Sequence, residues 1–206
     1  MGRIKGLTTS DVSSLVARNL FYNHMPRTNN MKFITSQDTS ERWHGWIIYA
    51  TGKSGQFTRL GYNAIAKTSN EMADKFNPEE WKDQDTVFYI DHGSSNWAGI
   101  KSKDIPPLTN SVFLNLACLT DSSNNANAFS LNSIRNGAIA YFGALDISSI
   151  HNKMWYEVFD RIYKKNEPLG KIFKDSVAVA DSKGHGRESS FIGDPTFILN
   201  PPYLTK

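Results

Sequence analysis

The sequence contains one cysteine, Cys118, among its 206 residues. A single cysteine excludes an intramolecular disulfide framework, which is the strongest compositional sign of a small secreted protein. It also excludes a zinc site built from several thiolates. The residue is therefore either a small buried side chain or an isolated thiol that serves as a nucleophile.

Long apolar runs and clusters of positive charge are also absent. The longest apolar runs, such as Thr86–Ile90 and Val112–Leu119, are far too short to span a bilayer. The formal net charge is +3, and the Lys and Arg residues are scattered rather than gathered in a basic stripe. We therefore expect neither a membrane nor a nucleic acid as a partner, and the oligomeric state is left open.

The beginning of the chain lacks the apolar core of a secretory signal peptide, because Met1–Thr9 is polar. This pattern is typical either of an intracellular protein or of a mature domain without its leader. Both alternatives stay open at this point.

Short runs that are apolar on both faces recur along the chain, and most of them are bounded on one side by Gly, Asp or Pro. Such runs are typical of strands in a parallel sheet that is covered on both sides. They predict strands at Trp46–Ala50, Thr86–Ile90, Val112–Leu116, Ala138–Phe142 and Thr196–Leu199.

Apolar residues at helical spacing lie between these runs. Helices are predicted around Val12–Leu20 with an N-cap at Thr9, Ser10 or Asp11, over Ala126–Arg135 before Gly137, around Trp155–Ile162, and around Ile172–Ala180. Strands that alternate with helices favour an α/β fold, a three-layer α/β/α sandwich with a mostly parallel sheet. In such folds the ligand crevice lies beyond the carboxyl ends of the strands.

Two of the predicted strands run directly into residues that carry chemistry. Thr86–Ile90 is followed by Asp91-His92-Gly93, and Val112–Leu116 is followed by Ala117-Cys118. If these strands are parallel neighbours, the histidine and the cysteine lie at the same edge of the sheet. A thiol with an ordinary pKa of about 8.5 is mostly protonated at neutral pH and needs a nearby imidazole to become a thiolate. The sequence therefore predicts a His92–Cys118 dyad.

A glycine after the histidine lets the backbone approach a substrate closely. The N–H groups of Gly93 and Cys118 are then candidates for an oxyanion hole. Each residue also has an alternative interpretation without catalysis: Cys118 as a small buried side chain, and His92-Gly93 as an ordinary turn. Asp91 precedes His92 and is expected to orient the loop.

Five segments, in order, resemble the gingipain family of cysteine peptidases, which are relatives of the caspases and legumains. They are Gly2-Arg3-Ile4 with the helix after it, Val87–Ser94, Asn115–Thr120, Gly137–Gly143, and Gly193-Asp194-Pro195-Thr196. The resemblance implies a caspase-like sandwich and peptide-bond hydrolysis through a thioester acyl-enzyme. It implies His92 as the base, Cys118 as the nucleophile and Gly93 in the oxyanion hole.

The same resemblance also has implications for the substrate, for bound calcium and for the cellular location. It implies a protein or peptide substrate and a specificity pocket that includes Ala144, Leu145 and Asp146. Structural calcium and an extracellular or cell-surface location are implied by resemblance only. No EF-hand type of loop is present, and we expect no other cofactor and no metal at the site.

The chain departs from the family pattern at its front, where a further strand and an acidic segment normally precede the Gly-Arg segment. We therefore expect residues 1–206 to form a single caspase-like domain that lacks its first strand and is an N-terminally truncated fragment of a larger peptidase.

Two rival hypotheses remain. One is a legumain-like or caspase-like processing peptidase with another specificity, which Asp91-His92-Gly93 favours. The other is a non-catalytic caspase-like domain that binds a partner. A pocket for a basic residue needs an acid, and Asp91, Asp121 and Asp146 are each candidates by position.

Overall fold

The fold is described here from a computed structural model of the chain. The structure describes residues 8–25, 27–35, 44–67, 79–90, 93, 97, 100–121, 127–145, 152–163, 166–181 and 189–199. His92, Asp91 and Asp146 lie outside these residues.

A six-stranded sheet forms the centre of the part that the structure describes. Its strands are β1 (Asn30–Thr35), β2 (Asn63–Lys67), β3 (Thr86–Ile90), β4 (Val112–Leu116), β5 (Ala140–Ala144) and β6 (Ser189–Gly193). They lie in the order β2-β1-β3-β4-β5-β6, with parallel pairing throughout except between β5 and β6. The predicted strands Thr86–Ile90 and Val112–Leu116 are confirmed at the same residues.

Helices cover both faces of the sheet. They are α1 (Thr9–Phe21), α2 (His44–Arg59), α3 (Glu79–Lys82), α4 (Phe129–Arg135), α5 (Asn152–Ile162) and α6 (Leu169–Asp181). Residues from α2, α5 and α6 pack into one apolar cluster, and residues from α1, α3 and α4 into another on the opposite face. The predicted caspase-like three-layer sandwich is confirmed. None of the described helices combines the length and the apolarity needed to cross a membrane.

The predicted strand Trp46–Ala50 is wrong, because these residues belong to α2. The buried positions Ala50, Ser54 and Phe57 recur at helical spacing, whereas Ile48 is exposed. A five-residue apolar run cannot by itself be told from one side of a helix. The helical period becomes visible only when the run is extended to Phe57.

The predicted strand Thr196–Leu199 is also wrong. The Asp194 carboxylate accepts hydrogen bonds from the Thr196 backbone N–H (2.8 Å) and hydroxyl (2.7 Å). This closes an Asx-type turn that competes with extended pairing. The strand that pairs antiparallel with β5 is β6, which precedes this turn.

Three predicted elements begin at other residues. The helix predicted over Ala126–Arg135 begins at Phe129. The strand predicted at Ala138–Phe142 begins two residues later, since the amides of Ala138 and Ile139 bond to Ser133 and Ser111 instead of the sheet. The N-cap of α1 is Thr8, one residue before the predicted candidates, and it forms a capping box with Asp11.

Candidate active site

The site is built at the carboxyl ends of β3 and β4. The two strands are parallel neighbours, and their last paired residues are Ile90 and Leu116. Every residue of both strands is buried, so the strands form a rigid base in the middle of the sheet. The chain leaves both strands at the same level, as the sequence predicted.

Cys118 lies two residues beyond the end of β4, in the turn that leaves the sheet. Its side chain is half-buried, whereas Ala117 before it and Thr120 after it are buried. The thiol is therefore not enclosed in either apolar cluster. This position fits a nucleophile better than a small core side chain.

Gly93 packs directly on this turn. A Cβ built on Gly93 would lie 2.5 Å from the Ala117 Cβ, 3.1 Å from the Cys118 carbonyl oxygen and 3.2 Å from the Thr120 Cγ2. Real Cβ atoms essentially never approach another carbon to 2.5 Å, so this packing requires glycine. The segment after β3 and the turn after β4 are thus in van der Waals contact.

His92, the predicted base, is outside the described residues, and so is Asp91. The distance between the His92 ring and the Cys118 sulfur therefore stays a prediction. The roles of Cys118 as nucleophile and of Gly93 and Cys118 as the oxyanion hole likewise stay predictions.

Trp97 anchors the segment after β3. Its indole is buried and stacks between the rings of Tyr89 on β3 and Phe129 on α4, with both centroids 4.1 Å away. Its backbone pairs with Ile100 through two hydrogen bonds of 3.0 and 2.9 Å, and it forms an isolated bridge with Gly93. The stacked indole thereby fixes the backbone to which Gly93 is paired.

A buried polar cluster lies beneath the Cys118 turn. The Asn115 side-chain amide donates a hydrogen bond to the Thr120 hydroxyl, which in turn donates to the Ala117 carbonyl (3.3 Å). Tyr141 on β5 is fully buried in the same region, and burial raises the pKa of its phenol far above the ordinary value. The Tyr141 phenol therefore stays protonated at any physiological pH.

The end of β5 lies beside the turn that follows Cys118. The Asp121 backbone N–H donates to the Ala144 carbonyl (2.9 Å), and the Asp121 carboxylate accepts a hydrogen bond from the Ser130 hydroxyl. Ala144 is buried and Leu145 is half-buried. The structure thus brings two of the predicted pocket residues close to the nucleophile's turn, and their contact with a substrate stays a prediction.

Asp121 is almost completely buried and already bonded to Ser130. Within the part of the chain that the structure describes, no three His, Cys, Asp or Glu side chains gather as a metal site requires. Calcium also accepts backbone and amide carbonyl oxygens as ligands, so the calcium implied by resemblance stays a prediction.

A mostly parallel sheet with a half-buried cysteine turn at its carboxyl edge is the arrangement expected of a cysteine peptidase of caspase-like fold. Residues 1–200 match the model of Peptidase family C25. The chain therefore belongs to this family, the gingipain family of cysteine peptidases, which confirms the resemblance seen in the sequence. Membership of a peptidase family also supports a protein or peptide as the substrate. Among curated proteins, no sequence matches the chain significantly.

Several residues of the site are not predicted from the sequence: Trp97, Asn115, Thr120 and Tyr141. The available signal is Asn115, a polar residue within the apolar run Val112–Leu116. A buried amide needs hydrogen-bond partners, so its presence indicates polar residues nearby. Only the packing shows which residues these are, because two of them, Trp97 and Tyr141, come from the segment after β3 and from β5, both of which lie against β4.

Proposed function

We propose that this chain is a cysteine endopeptidase that hydrolyses peptide bonds through a thioester on Cys118, with His92 as general base. The observation that carries the proposal is the packing of Gly93 against the Ala117–Cys118 turn. Consecutive α-carbons are about 3.8 Å apart, so an imidazole on the residue before Gly93 has the reach to meet the thiol.

The pairing of β3 with β4 supports the same arrangement. Ile90 and Leu116 are paired at the strand ends, and His92 and Cys118 each follow by two residues. The chain therefore leaves two neighbouring strands at one level, and each candidate follows its strand end by the same number of residues in the sequence. That edge is where parallel α/β sheets place their ligands.

In the first half of the proposed reaction, His92 removes the proton from the Cys118 thiol. The thiolate attacks the carbonyl carbon of the scissile peptide bond and forms a tetrahedral intermediate. The protonated His92 then gives its proton to the leaving amine nitrogen. The carbon–nitrogen bond breaks, and the acyl group remains on Cys118 as a thioester.

In the second half, His92 removes a proton from a water molecule, and the resulting hydroxide attacks the thioester carbonyl. The carbon–sulfur bond breaks, the carboxylic acid product leaves, and the proton on His92 returns to the thiolate. The backbone N–H groups of Gly93 and Cys118 are the proposed donors to the oxyanion that forms in both halves.

The proposed specificity pocket includes Ala144, Leu145 and Asp146. It is supported by the hydrogen bond between the Asp121 N–H and the Ala144 carbonyl. Asp121 lies three residues after Cys118, so this bond holds the end of β5 beside the nucleophile's turn. The side chain that precedes the scissile bond would then pass along the end of β5.

The proposal is tested with peptides that carry Arg, Lys, Asn or Asp before a fluorogenic leaving group. We expect the wild-type chain to cleave at least one of them. Cys118→Ala should lower the rate by at least about a thousandfold, because loss of the nucleophile removes the covalent path. Its unfolding temperature should stay close to that of the wild type, since the thiol is only half-buried.

The preferred residue also separates the rival specificities: Arg or Lys favours a gingipain-like pocket, Asn a legumain-like pocket, and Asp a caspase-like pocket. A folded wild-type chain whose rate equals that of Cys118→Ala on all four peptides would contradict the proposal. That result would favour a non-catalytic, partner-binding domain.

A further inference from the structure

Thr120 lies two residues after Cys118 and is fully buried. Its hydroxyl accepts a hydrogen bond from the Asn115 amide and donates one to the carbonyl of Ala117, the residue before the nucleophile. Its methyl group faces Gly93, since a Cβ built there would lie 3.2 Å away. One side chain therefore contacts both the cysteine turn and the segment that follows His92.

The backbone held by Thr120 is strained. Among the described residues, the non-glycine positions with positive φ are Asn29, Asn110, Asn166 and Leu119. Asparagine tolerates this conformation because its short polar side chain bonds locally, whereas in leucine the Cβ is brought too close to the following carbonyl oxygen. Leu119, with φ of 56°, follows Cys118 directly. The turn needs compensating contacts to keep this shape.

Contacts on both sides of Leu119 supply that compensation. On one side, the Thr120 hydroxyl bonds the Ala117 carbonyl. On the other side, the Thr120 carbonyl accepts the Ser130 N–H (3.1 Å), and the Asp121 N–H donates to the Ala144 carbonyl (2.9 Å). The backbone bonds tie the turn to α4 and β5, whereas both hydrogen bonds of the Thr120 hydroxyl reach back across Cys118, to Ala117 and to Asn115.

We propose that Thr120 is a positioning residue for the peptidase reaction. Its hydroxyl closes the turn from Ala117 to Thr120 and thereby fixes the direction of the Cys118 thiol relative to the Gly93 segment. This inference rests on the proposed function. Thr120 contacts no reacting atom; it acts through the backbone that carries the nucleophile.

Two substitutions separate the hydroxyl from the rest of the side chain. Thr120→Val keeps the shape and a methyl facing Gly93 but removes both hydrogen bonds. Thr120→Ser keeps the hydroxyl and loses the methyl. The quantities to measure are kcat and KM per folded molecule and the rate at which iodoacetamide alkylates Cys118 at pH 7.

We expect Thr120→Val to lower kcat by about tenfold or more, because a small misplacement of a reacting group has effects of this size. KM should change much less, and alkylation should slow. Thr120→Ser should recover most of the lost kcat. A role in stability alone would lower the unfolding temperature in both variants and leave kcat per folded molecule unchanged.

Failure of this inference is distinguishable from failure of the proposed function. If the wild type cleaves, Cys118→Ala does not, and Thr120→Val has wild-type kcat and alkylation rate, the inference is wrong and the function stands. If the wild type does not cleave, alkylation still decides: an equal rate in Thr120→Val and wild type overturns the inference.

A second variant covers the case in which Thr120→Val does not fold. Asn115→Leu keeps the number and branching of the side-chain heavy atoms and removes the amide that donates to the Thr120 hydroxyl. We expect kcat and the alkylation rate to fall in the same direction as in Thr120→Val. Wild-type values for both in a folded Asn115→Leu would overturn the inference.

Discussion

The backbone of Gly93 lies directly against Ala117, the residue that precedes Cys118. A Cβ at position 93 would come within 2.5 Å of the Ala117 Cβ. Neither group can rotate away, because a methyl carbon bonded to the backbone has no alternative position. The two segments must separate if residue 93 gains a side chain.

Gly93→Ala should therefore lower kcat by at least about tenfold, since it moves the segment that carries His92 away from the thiol. It should also lower the free energy of unfolding by about 1–3 kcal/mol through overpacking. The measurements are peptide cleavage per folded molecule and urea unfolding.

Gly52→Ala is the matched control for this substitution. Gly52 is an exposed residue of α2 with nothing within 4 Å of a Cβ built there. Alanine in a helix is favoured over glycine by about 1 kcal/mol, so this variant should be slightly more stable and fully active. Equal activity in the two glycine variants would show that the contact at Gly93 does not matter for catalysis.

Removal of the Trp97 indole should loosen the segment after β3. Trp97→Ala loses the stacking on Tyr89 and Phe129 and should lower the free energy of unfolding by about 3–5 kcal/mol. It should also lower kcat per folded molecule, since Trp97 is paired with Gly93. Cleavage and unfolding are measured on the same samples.

Phe173→Ala provides the comparison on the opposite face of the sheet. Phe173 on α6 packs against Phe142 and Phe191, away from the Cys118 turn. We expect a large loss of stability with kcat per folded molecule unchanged. If Phe173→Ala and Trp97→Ala reduce kcat equally, Trp97 has no special role in holding the site.

An ion-pair network joins α5 to α6 and predicts a loss of stability in acid. Arg161 Nη2 lies 2.6 Å from Glu167 Oε2 and 2.8 Å from Asp175 Oδ2, and Lys171 bonds to the same two carboxylates. Hydrogen bonds from Arg161 and then Lys171 lower the pKa of Glu167 to about 2. The carboxylate is thus stabilised in its charged form in the folded state.

A carboxyl whose pKa is lowered on folding stabilises the protein above its unfolded pKa, and that contribution is lost as pH falls through the folded pKa. For Glu167 the loss should fall between about pH 4.5 and pH 2. Glu167→Gln should be less stable than the wild type at pH 7, by about 1 kcal/mol for partly exposed pairs. The difference should shrink steeply as the pH falls towards 2 and vanish below it. A difference that is the same at pH 7 and pH 2 would contradict this account.

The buried strands could be predicted because their short, apolar sequences fit few structures other than a buried strand. Thr86–Ile90 and Val112–Leu116 are apolar on both faces, and turn residues bound them. The edge strand β2 was not predicted, since it is only partly buried and lacks such a run. In β1 the polar Lys32 interrupts the apolar pattern although it is buried in the structure.

Some residues of the candidate site could likewise be predicted from the sequence, and others could not. Cys118 and Gly93 stand out because each follows the end of an apolar strand. Thr120 and Tyr141 have no such signal, because the role of Thr120 depends on its contact with Gly93 and that of Tyr141 on the turn after β4. Both partners are distant in the sequence. The positive φ of Leu119 also has no signal in the sequence, because leucine is not typical of that conformation.

The most direct test of the central claim is alkylation of Cys118 by iodoacetamide at neutral pH. Cys118 is the only cysteine, so the modification reports on one position without ambiguity. We expect the native thiol to react at least about tenfold faster than the denatured chain, because a neighbouring imidazole raises its thiolate fraction. His92→Ala should abolish that advantage, whereas His24→Ala, at an exposed residue outside the site, should keep it. A native thiol that reacts no faster than the denatured one, and that His92→Ala does not affect, would contradict the dyad.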